Sequence, residues 1–564
     1  MTKFFPLKAF SGGAKLFSIK GGVHPKDFKA LSAECAIERM PAPSLLRVPL
    51  QQHIGAEAEP IVKQGDDVAK GQPIAVGRGA VSAAVHAPTS GKVIAIGRFV
   101  APHPSGLPVA TISIRPDGEE RWAELPPPLD PETAAPSEIA ARVAASGVVG
   151  MGGATFPSAV KLNLGKRFTL ETLVINAAEC EPYLTCDDRL LRERSEAVAD
   201  GVFCIAKALG VSSIIVAIEA NKPKAIEAMT NAVAGLAIEA RVATVPTRYP
   251  MGSEKHLVQT LTGRETPARA LTADIGIVVH NAATAHAVHR AMRYGEPLIS
   301  RVVTVSGKAV RRPANVETLI GTPITDLLDH CGGLSEEPQR LLLGGPMMGQ
   351  PAPSLRAPIV KGVNGVLGLT AAECRRAESM PCIRCASCVS VCPCGLTPLE
   401  LHARIKNEEL DGAVEIGLLD CVACGSCSFV CPSNIPLVQS FNYAKGKLTQ
   451  QQRTKHQQEE TKRLAQQREE RMARIAAAKK EAMAKRKAEQ AAKKKAKEQK
   501  AKEAAALKAA QEEAQSGAQE PAPGAASAGA AAAAAREATA PNENPAQKRD
   551  AAAKAAPDKT EAAQ

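Results

Sequence analysis

The sequence predicts a multidomain protein of mixed α/β and α+β class, and three patterns carry that prediction. Over residues 130–298 strand-type and helix-type segments alternate (TLVIN, SSIIVAIE, PKAIEAMTNAVAG, RVATVP, DIGIVVHN, AATAHAVHRAMRYG), the order of a mainly parallel sheet with ligands at the carboxyl ends of its strands. Over 43–118 short β-type runs are punctuated by Gly-Asp and Ser-Gly turns, the grammar of a small β-barrel. Over 371–445 the string CxxCxxCxxxCP occurs twice, at Cys382, Cys385, Cys388, Cys392 and at Cys421, Cys424, Cys427, Cys431. At roughly 150 residues per domain, 564 residues call for three or four cores.

Bulk properties narrow the class further. A 45% hydrophobic content suffices for several cores, while 3% aromatic residues and a single Trp leave little material for a large aromatic ligand cage. The net charge of +12 would suggest nucleic acid, but residues 451–500 alone carry about +10, so the folded body is near neutral and no nucleic-acid partner is expected for it. There is no run of 18 or more apolar residues, and MTKFFPLKAFSGGAKLF lacks an apolar region with a cleavage site, so the chain is expected to stay in the cytoplasm. Of the fifteen cysteines, eight fall in the repeated string and read as reduced, metal-binding thiolates rather than a disulfide framework.

Taken in order, residues 1–42 contain KGGVHPKDFKAL, a Gly- and Pro-punctuated segment expected to lie against a neighbouring domain, with His24 structural. In 43–118, VKQGDDVAKGQ and VHAPTSGKV resemble the two halves of a lipoyl- or biotinyl-type barrel. The hairpin lysine that carries a prosthetic group in such barrels has no counterpart, since Lys92 sits at a strand start, so the module reads as scaffold. The linker LPPPLDPETAAP leads to the Rossmann-like α/β domain, 130–298. Residues 299–370 open with two strands, a turn and a short helix, economically a β-grasp unit of SLBB type. From 446 to 564 the composition turns to Lys, Glu, Gln and Ala, then Ala, Pro, Gly and Ser; with no apolar seam this is a solvated helix or a disordered arm, not core.

The doubled cysteine string matches bacterial ferredoxins, where three thiolates of one string hold a [4Fe-4S] cluster and the fourth ligates the other cluster. Cys392 is therefore expected to complete the cluster of Cys421, Cys424 and Cys427, and Cys431 that of Cys382, Cys385 and Cys388. Zinc sites rarely need two matched sets with terminal prolines. Cys394 is off register and reads as a bystander, and the spacer LHARIKNEELDGAVEIGLLD reads as helix filling the core between the halves.

Two further segments carry site-like residues. GVVGMGGATFPSAVK, 147–161, lets backbone amides approach a phosphate or a flat ring, although glycines also serve tight turns. VINAAECEP places Asn176, Glu179 and Glu181 just past a buried strand, within reach of a ring edge or a ribose. Cys180 and Cys186 read as small buried side chains, and Asp187 and Asp188 as structural. His280, His286 and His289 read as a helix surface, and GGPMMG, 344–349, either closes a pocket or packs on the β-grasp unit.

The pair GxGGAxFP and NAxExEP resembles the flavin- and NADH-binding subunit of respiratory complex I. The whole order, with KGGVHP, GMGGATFP, NAAECEPYLTCDD, YPMGSEKHLVQTLTGRE, GGPMMG and the doubled string, is similar to the RnfC family of Rnf (Rsx) electron-transport complexes over about residues 15–445. That resemblance implies non-covalent FMN on Gly150, Gly152, Gly153, Ala154, Lys161, Asn176 and Glu179, with NADH lying over it against Phe156 and Glu181. Met151 stands where complex I has Arg and Ala178 where it has Asp, so two polar contacts are lost. The implied activity is an NADH-linked oxidoreductase: hydride from NADH to FMN, then single electrons through two [4Fe-4S] clusters to a ferredoxin-like subunit and membrane subunits, with Na+ or H+ translocation elsewhere. The implied place is peripheral, on the cytoplasmic side of the bacterial inner membrane. A soluble NADH-dependent ferredoxin reductase or hydrogenase subunit, and an adaptor that keeps a redox-sensing transcription regulator reduced, stay open on the residues alone.

Anaerobically purified chain is expected to carry about eight irons and eight acid-labile sulfides, four of each per cubane. Colorimetric iron and sulfide assays giving one or two metal ions per chain would restore the zinc reading.

Overall fold

A computed structural model describes residues 15–103, 105–374 and 378–515. The chain divides into a body, up to Gln458, and a second unit from Glu459 onward. The α/β domain is built on four parallel strands, Thr172–Ala177, Ser213–Glu219, Glu239–Val245 and Ile277–Asn281. Helices cover this sheet, and runs such as SIIVAIE are buried along almost their whole length, as β-branched residues of a parallel sheet should be.

Strand order decides where this domain can bind anything. The sheet reads 239–245, 213–219, 172–177, 277–281, so the chain steps outward twice and then crosses back to the other side of strand 172–177. The order reverses between strands 172–177 and 277–281, which places a crevice at their carboxyl ends. Register puts Asn281 directly beside Asn176 there. Behind the crevice, helices Ser195–Leu209 and Ala282–Arg293 approach so closely that a Cβ at Gly201 would collide with the carbonyl oxygen of Ala285.

The barrel consists of two small sheets. Strands Leu46–Pro49, Pro108–Pro116, Gly91–Val100 and Asp67–Val68 form one, and Glu59–Pro60, Pro73–Val76 and Val85–His86 the other, around Leu46, Val48, Ile74, Val93, Ile112 and Ile114. Lys92 pairs with Asp67 and Arg115 inside the ladder rather than at a hairpin tip.

The β-grasp unit has strands Ser300–Ser306 and Ala314–Leu319, helix Ile324–His330, and then strands Arg340–Leu343, Gln350–Pro351 and Gly365–Leu369. Its sheet gains an edge strand from the N-terminal segment: Ile37–Arg39 runs parallel to 314–319. The same segment also reaches the other domains, with Phe17 N–H on Thr260, Gly22 N–H on Val391 and Val23 paired with Tyr249.

The cysteine-rich domain packs helices Pro398–Lys406 and Leu410–Glu415 over Leu401, Ile405, Leu418 and Phe441, the core expected of the spacer. Its last helix starts at Leu437 and is described to Gln515. In the second unit that helix is exposed over residues 459–511; Leu464, Met472, Ile475, Met483 and Leu507 are open to solvent, and Glu481–Lys485 is one of its i,i+4 pairs. Of the two readings of the tail, helix holds from 446 to 515, and the remainder lies outside the described residues. Among the described residues no helix is long and apolar enough to cross a membrane.

One expectation needs correcting. His280 is not on a helix surface but inside strand 277–281, buried, because helix 282–293 begins only after Asn281, whose side chain caps it by accepting from the Ala283 and Thr284 amides. His286 is held neutral, near 3, by burial and the adjacent Arg194, and His289 hydrogen-bonds Asp200 at 2.6 Å.

Gly201→Ala is expected to lower stability by about 1–3 kcal/mol through overpacking, against the gain of about 1 kcal/mol that helix propensity alone would give. A raised melting temperature would refute the close helix contact.

Candidate functional site

The glycine loop sits at the reversal crevice. It is closed by Gly150 N–H on Phe156 O (2.8 Å) and Thr155 N–H on Gly150 O (3.1 Å). Met151 N–H donates to Thr284 Oγ1 at 2.9 Å, and Gly152 packs against Asn281, where an added Cβ would lie 3.4 Å from the Asn281 Cβ. Gly152, Gly153 and Ala154 form the exposed tip, and Gly153 has φ 104°, open only to glycine. Among the described residues, no acceptor takes the amides of these three. A run of free amides over the carboxyl ends of a parallel sheet suits a phosphate or the polar edge of a ring. Phe156 is half-buried at the end of the loop, and Lys161 is anchored at 3.1 Å from Glu254 and 3.0 Å from Val279 O.

The segment after strand 172–177 makes the opposite wall. Asn176 does not project freely: its Nδ2 donates to Gly252 O (2.8 Å) and its Oδ1 accepts from Ala178 N–H (3.3 Å). Glu179, at φ 49°, accepts from the amides of Asp187 and Asp188 (2.8 and 3.3 Å) and so caps helix Cys186–Glu193. Two buried lysines hold this segment by its carbonyls. Lys29 donates to those of Glu179, Glu181 and Leu184 (2.9, 3.0 and 2.5 Å), and Lys222 to that of Ala178 (2.7 Å) while pairing with Glu219 at 3.1 Å. Burial lowers Lys29 and raises Glu219. Asp187, bonded by Asn281 Nδ2 at 2.7 Å, is pushed up to about 7 by burial and by Glu179. Burial likewise raises the thiols of Cys180 and Cys186, which are packed side chains.

Glu181 joins the walls. Its carboxylate accepts from the amides of Met347 and Met348 (3.0 and 2.9 Å) and lies 3.5 Å from the Tyr249 hydroxyl; burial pushes it up to about 7. GGPMMG therefore clasps Glu181, and Gly345 is small because a Cβ there would run into that carboxylate. Tyr249 in turn donates to Cys424 O at 2.6 Å.

The thiols fall into two groups. Cys382, Cys385 and Cys388 line one cavity together with Cys431, and Cys421, Cys424 and Cys427 line another together with Cys392. Each string repeats one backbone device: Arg384 and Ala423 (both φ 54°) turn their amides toward Cys382 Sγ and Cys421 Sγ at 3.4 and 3.3 Å, and Ala386 and Gly425 follow with φ 59° and 79°. Amides on sulfur favour thiolate. No three His, Cys, Asp or Glu side chains among the described residues are gathered tightly enough for a single ion; four thiols around each of two cavities fit two four-iron clusters. Cys394 lies in the wall of the cavity shared by Cys421, Cys424, Cys427 and Cys392 without matching any position of the string. The two cavities differ in setting. Cys382 and Cys385 are exposed, whereas Cys424, Cys427 and the neighbouring Tyr249, Val23 and Met347 are sheltered, with Cys424, Tyr249, Val23 and Met347 forming one apolar cluster against the α/β domain.

Tyr249, Asn281, Lys29 and Lys222 were not singled out from the sequence. For Asn281 a signal exists: VINAA and VHNAA end two adjacent strands with the same pattern. The lysines have none, because their partners lie up to 155 positions away.

A parallel domain with a glycine-loop crevice, joined to two four-thiol cavities, defines an electron-transfer flavoprotein of the iron–sulfur type. Its parts match known families: residues 17–119 the RnfC barrel sandwich hybrid domain, 143–290 the Nuo51 FMN-binding domain, 302–351 the SLBB domain and 381–435 the 4Fe-4S dicluster domain. The chain is 65% identical over 456 residues (81% of it, 86% of the relative) to the RnfC protein of the ion-translocating oxidoreductase complex of Rhodobacter capsulatus. It is 46% identical to the corresponding protein of Pseudomonas aeruginosa (77% and 56%), and 45% to that of the proton-translocating ferredoxin:NAD(+) oxidoreductase complex of Clostridium ljungdahlii (76% and 94%). The chain belongs to the RnfC family of ion-translocating oxidoreductase complexes.

Because Glu181 is raised from 4.5 to about 7, its contribution to stability is greatest below pH 4.5, is lost as pH rises through 7 and is constant above. Wild type is expected to lose on the order of 3 kcal/mol relative to Glu181→Gln between pH 4.5 and 8. Parallel melting curves for the two proteins across that range would show that Glu181 is not buried against the clasp.

Proposed function

We propose that this chain is the electron-input subunit of its complex, exchanging electrons between NADH, FMN and two [4Fe-4S] clusters and passing them to a ferredoxin-like subunit and the membrane subunits. The observation that carries the reading is the contact chain Glu181, Tyr249, Cys424, by which the wall of the crevice touches the inner thiol cavity. The name of the Clostridium relative, with its ferredoxin and NAD(+), supports the same substrates here.

When bound, FMN supplies the conversion between a hydride and single electrons. The residues supply the setting. The amides of Gly152, Gly153 and Ala154 bind the nucleotide's polar edge, between Gly150 and Phe156 at the ends of the loop and with Lys161 on the helix that follows. Asn176 and Glu179 keep the opposite wall in register by holding Gly252 and the helix at 186. Glu181 and Phe156 border the space for the dinucleotide, and the Glu181 carboxyl, near 7, is able to hold or release a proton at its clasp. Val23, Tyr249 and Met347 exclude water around the inner thiols. Cys421, Cys424, Cys427 and Cys392 hold the inner cluster; Cys382, Cys385, Cys388 and Cys431 hold the outer one, which faces the partner. Binding is peripheral and on the cytoplasmic side, and the coupled ion crosses elsewhere in the complex.

The test is an anaerobic NADH titration followed by flavin absorbance and cluster paramagnetism. In Cys382→Ser the flavin and the inner centre are expected to be reduced normally; in Cys421→Ser the flavin bleaches while the outer centre stays oxidised. Absence of NADH-dependent bleaching in the wild-type chain would refute the proposal, and unhindered outer-centre reduction in Cys421→Ser would reverse the order of the clusters.

A further inference from the structure

The glycine loop is gripped from outside its own domain. Ile54 N–H of the barrel donates to Thr155 O at 3.2 Å. From the β-grasp side, Gly362 lies so close that an added Cβ would stand 2.5 Å from Thr155 Cγ2. Two basic side chains complete the grip. Lys361 Nζ donates to Gly147 O (2.7 Å) and to Ala84 O (2.8 Å), and the Arg301 guanidinium donates to Met151 O (3.4 Å), to Val302 O and to Lys361 O. Both side chains are almost fully buried, at 3% exposure for Arg301 and 1% for Lys361.

Neither has a carboxylate within ion-pair distance among the described residues; the acidic groups that act on Arg301 from further away are Cys186 and Asp187. A buried cation without a counter-ion is costly and persists where something else requires it. Burial pushes Lys361 down to about 7, so the permanent charge behind the loop is the guanidinium of Arg301, which does not deprotonate in proteins. Its hydrogen bond reaches the carbonyl of Met151, immediately before the three free amides of Gly152, Gly153 and Ala154. The Met151 carbonyl thus faces a fixed positive charge, and the amides that follow it belong to exposed residues and have no acceptor among the described residues.

We propose that Arg301 is a positioning residue for an anion: from the β-grasp unit it supplies the counter-charge and the loop orientation that bind the phosphate of the nucleotide cofactor. The proposal rests on the flavin reading above and deepens it, since it assigns the phosphate to the amides of residues 152–154 and gives the β-grasp unit a part in cofactor affinity. Lys361 secures the start of the loop at Gly147, and Gly362 leaves room for Thr155.

The experiment compares FMN with riboflavin, which lacks the phosphate, by fluorescence titration of the full chain stripped of flavin. Wild type is expected to bind FMN at least tenfold more tightly than riboflavin, and inorganic phosphate to weaken FMN but not riboflavin binding. In Arg301→Met the FMN affinity falls about tenfold or more while riboflavin is nearly unaffected, so the discrimination collapses; Arg301→Lys recovers part of it. Should Arg301→Met melt before assay, Gly362→Ala and the phosphate competition on wild type carry the test, with Gly362→Ala expected to weaken FMN more than riboflavin. Equal losses for both flavins in every variant, or wild-type indifference to the phosphate, would overturn the inference while leaving the flavin site in place. Failure of wild type to bind either flavin would overturn the functional reading itself.

Discussion

The ammonium of Lys29, buried beneath residues 179–184, is the interaction on which the arrangement of this protein turns. A segment carrying two left-handed residues, Glu179 and Tyr183, has no ladder to satisfy its carbonyls, and three of them converge on one nitrogen supplied by the N-terminal segment. With the carbonyls turned inward, the side chains of Glu179 and Glu181 are left to reach outward to different partners. Glu179 caps the helix at 186, and Glu181 enters the clasp of Met347 and Met348. Removing the lysine would leave three buried acceptors without a donor, each costing about 1–3 kcal/mol. An N-terminal stretch with no chemistry of its own therefore holds the wall of the crevice in place.

The chain is assembled so that no domain owns the site alone. The α/β domain contributes the crevice and the loop, the barrel holds Thr155, the β-grasp unit holds Met151 and Glu181, and the N-terminal segment crosses from the strand at 37–39 to the cysteine domain at Gly22. This gives the barrel a part to play without a prosthetic lysine: Gln52 Oε1 accepts from the Lys361 amide, and the Ala84 carbonyl accepts from its ammonium.

What could be read from the sequence follows the range of the forces involved. Ligand spacing in the cysteine strings is local, because one loop must wrap three corners of a cluster, and it is visible as text. Strand and helix alternation is local too, and it located the parallel sheet and its crevice. The buried lysines and Arg301 were invisible because most of their acceptors are backbone carbonyls 44 to 277 positions away, and carbonyls have no residue identity to recognise. Asn176 and Glu179 stand at and just past the end of strand 172–177, yet their polar ends hold neighbouring loops, which a single strand-end motif does not reveal. His280 was misplaced because it was grouped with His286 and His289, which are three apart as on a helix, while the helix starts only after Asn281.

The two thiol cavities are chemically alike but unequally sheltered. Cys382 and Cys385 stand in solvent beside Ile383 and Met380, which are 69% and 59% exposed, whereas Tyr249, Val23 and Met347 roof the other set. On the electron order proposed above, in which the outward cluster delivers, air and chelators meet the delivery end first. On that order, a chain injured in this way would still accept reducing equivalents but have no outlet for them, a sink that other oxidants, dioxygen among them, would be free to drain.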